Sequence, residues 1–234
     1  MSAHVLAAVL ALTLATPVLA LRGQQSAADS AALALVERSA AAYLSARTLR
    51  AEFAQTLTNP RTGNVMRSHG EFMQRGAQQF AFRFSEPPDD RIVADGDLLW
   101  LYLPSAAKGQ VLKVPRAAGA GLDFAASVLR DPRRRYRVES GADTTLHGHA
   151  VRSVRLTPRT PDAPFARATL WIDVRDALIW RAEFVEHSGL LRVLEFTRVR
   201  TGVTLPRDAF VFTPPPGVRV IDQAALMGGT VPKA

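Results

Sequence analysis

The sequence predicts a mainly β protein, about eleven antiparallel strands in one sheet, with helices filling the inside of its curl. Two observations carry this expectation. From Leu49 onward apolar residues recur at every second position in short runs separated by Gly, Pro, Asn and Asp, the pattern of half-buried strands joined by turns. Only two stretches depart from that period for the spacing of a helix. The chain has 234 residues, 47% of them hydrophobic, enough for one core, and no break in composition or fixed repeat divides it.

The N-terminus reads as an address rather than as part of the fold. Val5 to Leu14 is a run of apolar and small residues too short to span a bilayer, and Val18-Leu19-Ala20 offers small side chains for a signal peptidase, so residues 1–20 are expected to be removed. No later segment holds about eighteen uncharged apolar residues in a row. Cysteine is absent, which excludes a disulfide framework and a lipid anchor at a cleavage-site Cys.

After a small-residue linker, Leu21 to Ala28, the segment Ser30 to Ala46 places Leu33, Val36, Ala40, Tyr43 and Leu44 at helical spacing, with Asp29 or Ser30 as N-cap. The period then falls to two at Leu49, Ala51, Phe53 and Leu57, and Asn59 to Gly63 turns the chain. Strands are expected at Val65 to Gln74, Gln78 to Ser85, Arg91 to Ala94, Leu98 to Leu103 and Gln110 to Val114, with Asp95-Gly96-Asp97 as a hairpin turn. Leu122 to Leu129 reads as a short helix presenting Phe124, Val128 and Leu129 on one face and stopped by Asp131-Pro132. The remaining strands fall at Tyr136 to Ser140, Ala150 to Thr157, Ala166 to Val174, Ile179 to Glu186 and Leu191 to Val199, with a last segment through Phe210-Val211-Phe212 and Val218 to Ile221. One domain over residues 21–222 and a flexible tail over 223–234 complete the expected organisation.

The formal net charge is +8 and the isoelectric point about 10.9, with arginine far in excess of lysine. Apart from Arg133-Arg134-Arg135 the basic residues are spread along the chain without interleaved aromatics, which argues against nucleic acid and for weak attraction to acidic surfaces such as anionic headgroups or acidic proteins. His147-Gly148-His149 lacks the further ligands a metal needs, and Asp89-Asp90 and Asp95-x-Asp97 lack the calcium-loop sequence and sit where Asp caps turns. No nucleophile elbow is present. The expectation is therefore a protein with no catalytic residues, metal or cofactor.

What stands out is a greasy wall. Phe80, Phe82 and Phe84 share one face of a strand, opposite Ala81 and Arg83. Filling a core under two helices is sufficient reason for three aromatics. Arg75, just before this strand, reads on spacing alone as a solvated hairpin arginine, although its five donors could hold a neighbouring helix end through backbone carbonyls.

These residues resemble the LolA family of periplasmic lipoprotein carriers. The order runs from a leader without a Cys, through an opening helix and Phe53-x-Gln55, to an Arg and an aromatic strand ending at Pro87. It continues with Ile92-Val93-Ala94-Asp95-Gly96, then Leu99-Trp100-x-Tyr102-x-Pro104, and closes on Phe210-Val211-Phe212-Thr213-Pro214-Pro215-Pro216-Gly217-Val218. The resemblance covers most of the mature chain. It implies an unclosed antiparallel barrel with a helical lid and a hydrophobic cavity for lipoprotein acyl chains, in a monomeric periplasmic carrier. Such a carrier takes cargo from an inner-membrane ABC-type release complex and passes it to an outer-membrane acceptor. By the same resemblance Phe53, Phe80, Phe82, Phe84, Trp100, Phe124, Val128 and Leu129 would line the cavity, and Arg75 would latch the lid. Two departures are visible: Arg75 is followed by Gly76 where the family has Pro, and Phe82 stands where the family commonly has Trp. The alternative on the same fold is a sensor or carrier of a specialised lipid such as a glycolipid.

Overall fold

Twelve strands form one sheet in the computed structural model, which describes residues 18–115 and 128–223. Helix α1 (Val18–Ser45) leads into β1 (Thr48–Thr58), β2 (Val65–Arg75), β3 (Gln79–Glu86), β4 (Arg91–Ala94), β5 (Leu98–Tyr102) and β6 (Gln110–Pro115). After residues 116–127 come the one-turn α2 (Pro132–Arg135), then β7 (Tyr136–Leu146), β8 (His149–Pro158), β9 (Arg167–Asp173), β10 (Ile179–Val185), β11 (Leu191–Thr201) and β12 (Arg219–Asp222). The spatial order is β12-β6-β5-β4-β3-β2-β1-β11-β10-β9-β8-β7, antiparallel throughout except for the parallel β12–β6 pair. The sheet is unclosed, with β12 and β7 as its edges.

Its inner face carries the main core, under α1. Ala32, Leu35, Val36, Ala40 and Tyr43 recur at helical spacing and are buried with Val154, Leu156, Leu170 and Ile172. Polar ties fix the helix in register. Asp29 Oδ1 accepts the Ser140 N–H at 2.8 Å, Arg38 donates to the Arg175 carbonyl at 2.9 Å, and Glu37 pairs with Arg133 at 3.0 Å. The Tyr43 hydroxyl accepts the Ile179 N–H at 3.3 Å. Burial pushes the Tyr43 pKa well above its ordinary value, because a phenolate there would lose its water. The Ile179 N–H works the other way, favouring the phenolate, but burial outweighs it.

A second core lies on the outer face. Met73, Ala81 and Val93 are buried there beneath Leu205, Ala209 and Phe210, so β2 to β4 are covered on both sides.

Several expectations need correcting. The helix begins at Val18, absorbing the expected linker Leu21 to Ala28, whose Ala, Gln and Leu residues propagate a helix once its C-terminal part is docked. Phe210-Val211-Phe212 is not a strand. Pro206 and Pro214 to Pro216 withhold ladder donors, and the segment instead lays Phe210 onto the outer core. Pro132 begins α2 rather than ending structure, since its missing N–H is an orphan at a first helical position. β7 runs on to Leu146 past a register shift between Ser140 and Asp143. The helix expected at Leu122 to Leu129 lies outside the described residues except for Val128 and Leu129, both helical and buried. Residues 1–17 and 224–234, which hold most of the expected leader and the tail, also lie outside them.

Candidate functional site

The ladder registers of β11 and β1 to β6 align the inner-face side chains into three rows that cross the sheet. The first runs Phe196, Phe53, Gly70, Phe84. The second runs Ala51, Phe72, Phe82, Ile92, Leu101, Leu112, and the third Leu49, Gln74, Phe80, Ala94, Leu99, Val114. Because side chains directly opposite on neighbouring strands share a face, this alignment turns separate period-two strands into one apolar surface.

Its aromatics touch edge to face or tilted. Ring centroids lie 5.1 Å apart for Phe53–Phe82, 5.2 Å for Phe53–Phe84, 4.7 Å for Phe72–Phe82 and 5.9 Å for Phe72–Phe196. These separations suit the quadrupoles of the rings. Phe53, Phe72, Phe80, Phe82 and Phe196 are buried, whereas Phe84, Ile92, Leu101 and Leu112 are only partly so. The half-open part of the wall is thus Phe84 and the second row beyond Phe82, while Ala94, Leu99 and Val114 of the third row stay buried. Apart from Gln74 its rows carry no polar side chain, and what it offers chemically is dispersion and the exclusion of water.

Gln74 is that exception, in the third row between Leu49 and Phe80. Its buried amide donates from Nε2 to the Tyr43 carbonyl at 3.2 Å and to the Gly76 carbonyl at 2.9 Å, while Oε1 has no partner. Tyr43 lies in the last turn of α1, where carbonyls lack intrahelical donors, so Gln74 ties the end of the helix to β2. The family resemblance gives such a contact to Arg75. The Arg75 guanidinium instead sits 4.8 Å from the ring centroid of Phe210, on the outer side with Met73.

The other expected site residues divide. Phe53, Phe80, Phe82 and Phe84 come together, and Val128 and Leu129 join the same core. Trp100 packs on the outer face, 5.6 Å from Phe212, its Nε1 donating to Asp95 Oδ2 at 3.2 Å. Phe124 lies outside the described residues. Phe72 and Phe196 were missed; each alternates in its own strand, but only register brings them to the wall.

The acidic and histidine motifs build structure. Asp95 Oδ1 accepts the N–H groups of Asp97 and Leu98 in the hairpin turn, and Asp90 accepts the backbone and hydroxyl of Ser105. His147 and Gly148 form the β7–β8 turn, and His147 meets Glu195 at 2.8 Å. His149 stacks on Trp180 at 3.7 Å and meets buried Asp173 at 2.8 Å. Burial works against the Asp173 charge, but the N–H of Arg175, the His149 ring and the N–H of Asp176 more than offset it, holding the carboxyl below its usual range. Among the described residues no three His, Cys, Asp or Glu gather as a metal set.

Comparison with known proteins is consistent with this geometry. The family model described as outer membrane lipoprotein carrier protein LolA matches residues 44–213. An outer-membrane lipoprotein carrier protein of Methylibium petroleiphilum is 30% identical over 180 residues, covering 76% of this chain and 84% of the relative. One from Nitrosospira multiformis is 28% identical over 178 residues, with the same coverages of 76% and 84%. Among solved structures, an uncharacterized conserved protein of Thermus thermophilus aligns with a TM-score of 0.54 at 14% identity, covering 82% of this chain and 99% of that one. MucB in its Pseudomonas aeruginosa complex with MucA aligns at 0.52 and 17% identity, covering 82% of this chain and 63% of MucB. Likeness at such identities is a likeness of fold.

Proposed function

Since the chain belongs to the LolA family of outer membrane lipoprotein carrier proteins, we propose that it carries lipoproteins across the periplasm with their acyl chains against the three-row wall. The observation that supports this most is the continuity of the rows, from the Phe53–Phe82–Phe84 cluster to the half-open Ile92, Leu101 and Leu112. Each methylene withdrawn from water gains roughly 0.8 kcal/mol, so a carrier outside the bilayer needs a long apolar surface and little else. Release requires that this surface can also be refilled by the protein. The single-amide tie from Gln74 to the end of α1 supports a helix that swings from the wall when cargo enters and returns when it leaves.

The remaining parts of the reading follow. The leader is cut near Ala20, the mature monomer works in the periplasm, an ATP-driven inner-membrane complex loads it and an outer-membrane acceptor unloads it. Among the described residues no helix is long and apolar enough to cross a membrane. Arg75 modulates opening from the outer side, through Phe210. Phe124, Val128 and Leu129 take part in binding the acyl chains. The test is reconstitution: inner-membrane vesicles with ATP should release lipoprotein into a soluble complex with the purified mature chain. Release that is the same without the chain would refute the carrier role.

A further inference from the structure

A small part of the basic charge that is dispersed along the sequence meets on the outer face of β7 to β9. Val154 and Leu156 of β8 point into the core, so Arg155 and Thr157 point outward. Register places Arg137 of β7 opposite Thr157, and the Leu156–Ala168 pairing sets Arg167 of β9 level with Thr157 on its other side. Arg137, Arg155 and Arg167 are all exposed and surround Thr157 on three adjacent strands, and exposed Arg134 of α2 leads into the same corner. Glu139, half-buried, faces Arg155 across β7–β8, and Glu183 lies beyond Thr169 in that row, engaged with Arg181 at 3.8 Å. Elsewhere the acids are largely committed to other cations, as in Glu71 to Arg50, Asp143 to Arg152, Glu186 to Arg192 and Glu52 to Arg198.

We propose that Arg137, Arg155 and Arg167 form a docking face for an anionic phospholipid surface. Neighbouring strands are about 4.8 Å apart, so the three guanidinium groups present several phosphate-binding forks over a patch the size of a few headgroups. The observations favour a membrane over an acidic protein. Stable protein interfaces centre on buried aromatic or aliphatic anchors, whereas the exposed large hydrophobics Leu44, Val65, Met66, Val174, Val211 and Val220 all lie outside these three strands' arginine patch. A face of charge without anchors matches a headgroup layer, which attracts basic side chains by surface potential alone. This inference does not depend on cargo or on the carrier reading.

The experiment is sedimentation of the cargo-free mature chain with vesicles. Phosphatidylglycerol mixed with phosphatidylethanolamine should bind it, pure phosphatidylcholine should not, and added salt should weaken binding. Arg137→Gln/Arg155→Gln/Arg167→Gln should lower vesicle affinity roughly 30- to 100-fold at an unchanged urea midpoint. A control removing three charges elsewhere, Arg61→Gln/Arg67→Gln/Arg91→Gln, should lower it no more than about threefold. Equal losses in the two variants would overturn the proposal, since net charge would then suffice. Release from vesicles by inorganic phosphate would also overturn it in favour of a site for the free ion. So would a triple variant that binds protein-free vesicles normally but loses association with membranes retaining their proteins, because the face would then dock a protein.

Discussion

Phe53 and Phe84 meet edge to face at 5.2 Å although a whole strand separates them, because Gly70 occupies the position between them in the cross-strand row. A Cβ on Gly70 would lie 2.1 Å from the Arg83 carbonyl oxygen and 2.8 Å from Phe84 Cα. β3 closes on β2 there more tightly than any side chain allows, and a register shift between His69 and Gly70 marks the place. Gly70→Ala should therefore cost about 1–3 kcal/mol as an overpacking change. A lowered urea midpoint is the expected reading, and an unchanged one would show that Gly70 does not set the strand spacing.

Gln74→Leu should free the end of α1. It deprives the Tyr43 and Gly76 carbonyls of a buried donor, a loss of about 1–3 kcal/mol that the unpartnered Oε1 partly offsets by disappearing with it. Hydrogen exchange over residues 40–46 should accelerate in Gln74→Leu and not in Arg75→Leu, whose contact is with Phe210. The opposite ranking would return the latch to Arg75.

Phe210→Ala should cost about 3–5 kcal/mol, because it uncovers Met73, Ala81 and Val93. Thermal unfolding measures it. A cost below about 1 kcal/mol would mean that residues 203–212 lie on the sheet without stabilising it.

Asp173 gives the protein an acid limb. Its folded pKa is lowered, so its contribution is present above the unfolded value and is lost as pH falls through the folded one, a window below about pH 4. Asp173→Asn should flatten the decline of stability with falling pH in that window. A variant with the same slope as wild type would place the acid sensitivity elsewhere.

How much of this was legible in sequence depends on which face and which register a residue takes. Alternation located the strands, and Phe80, Phe82 and Phe84 share a face for that reason alone. It could not choose a face for Trp100, because Leu98 to Tyr102 is apolar on both sides and the strand is packed on both. Phe72 and Phe196 joined the wall through ladder registers that no local pattern encodes. Phe210-Val211-Phe212 alternates like a strand, yet neighbouring prolines leave it as a cover. Gln74 resembled an ordinary polar strand residue, and only the position of the α1 terminus gives its amide a purpose. The arginine face was hidden for the same reason as the wall: Arg137, Arg155 and Arg167 are neighbours across strands, not along them.

The central claim is that lipoprotein acyl chains lie on the inner wall, and photo-crosslinking tests it most directly. A photoreactive phenylalanine analogue at Phe82, in mature chain loaded from vesicles with palmitate-labelled lipoprotein, should capture the labelled chain. The same analogue at Ala54, on the outer face of β1, should capture none. Equal labelling at the two positions, or labelling at Ala54 alone, would contradict the account.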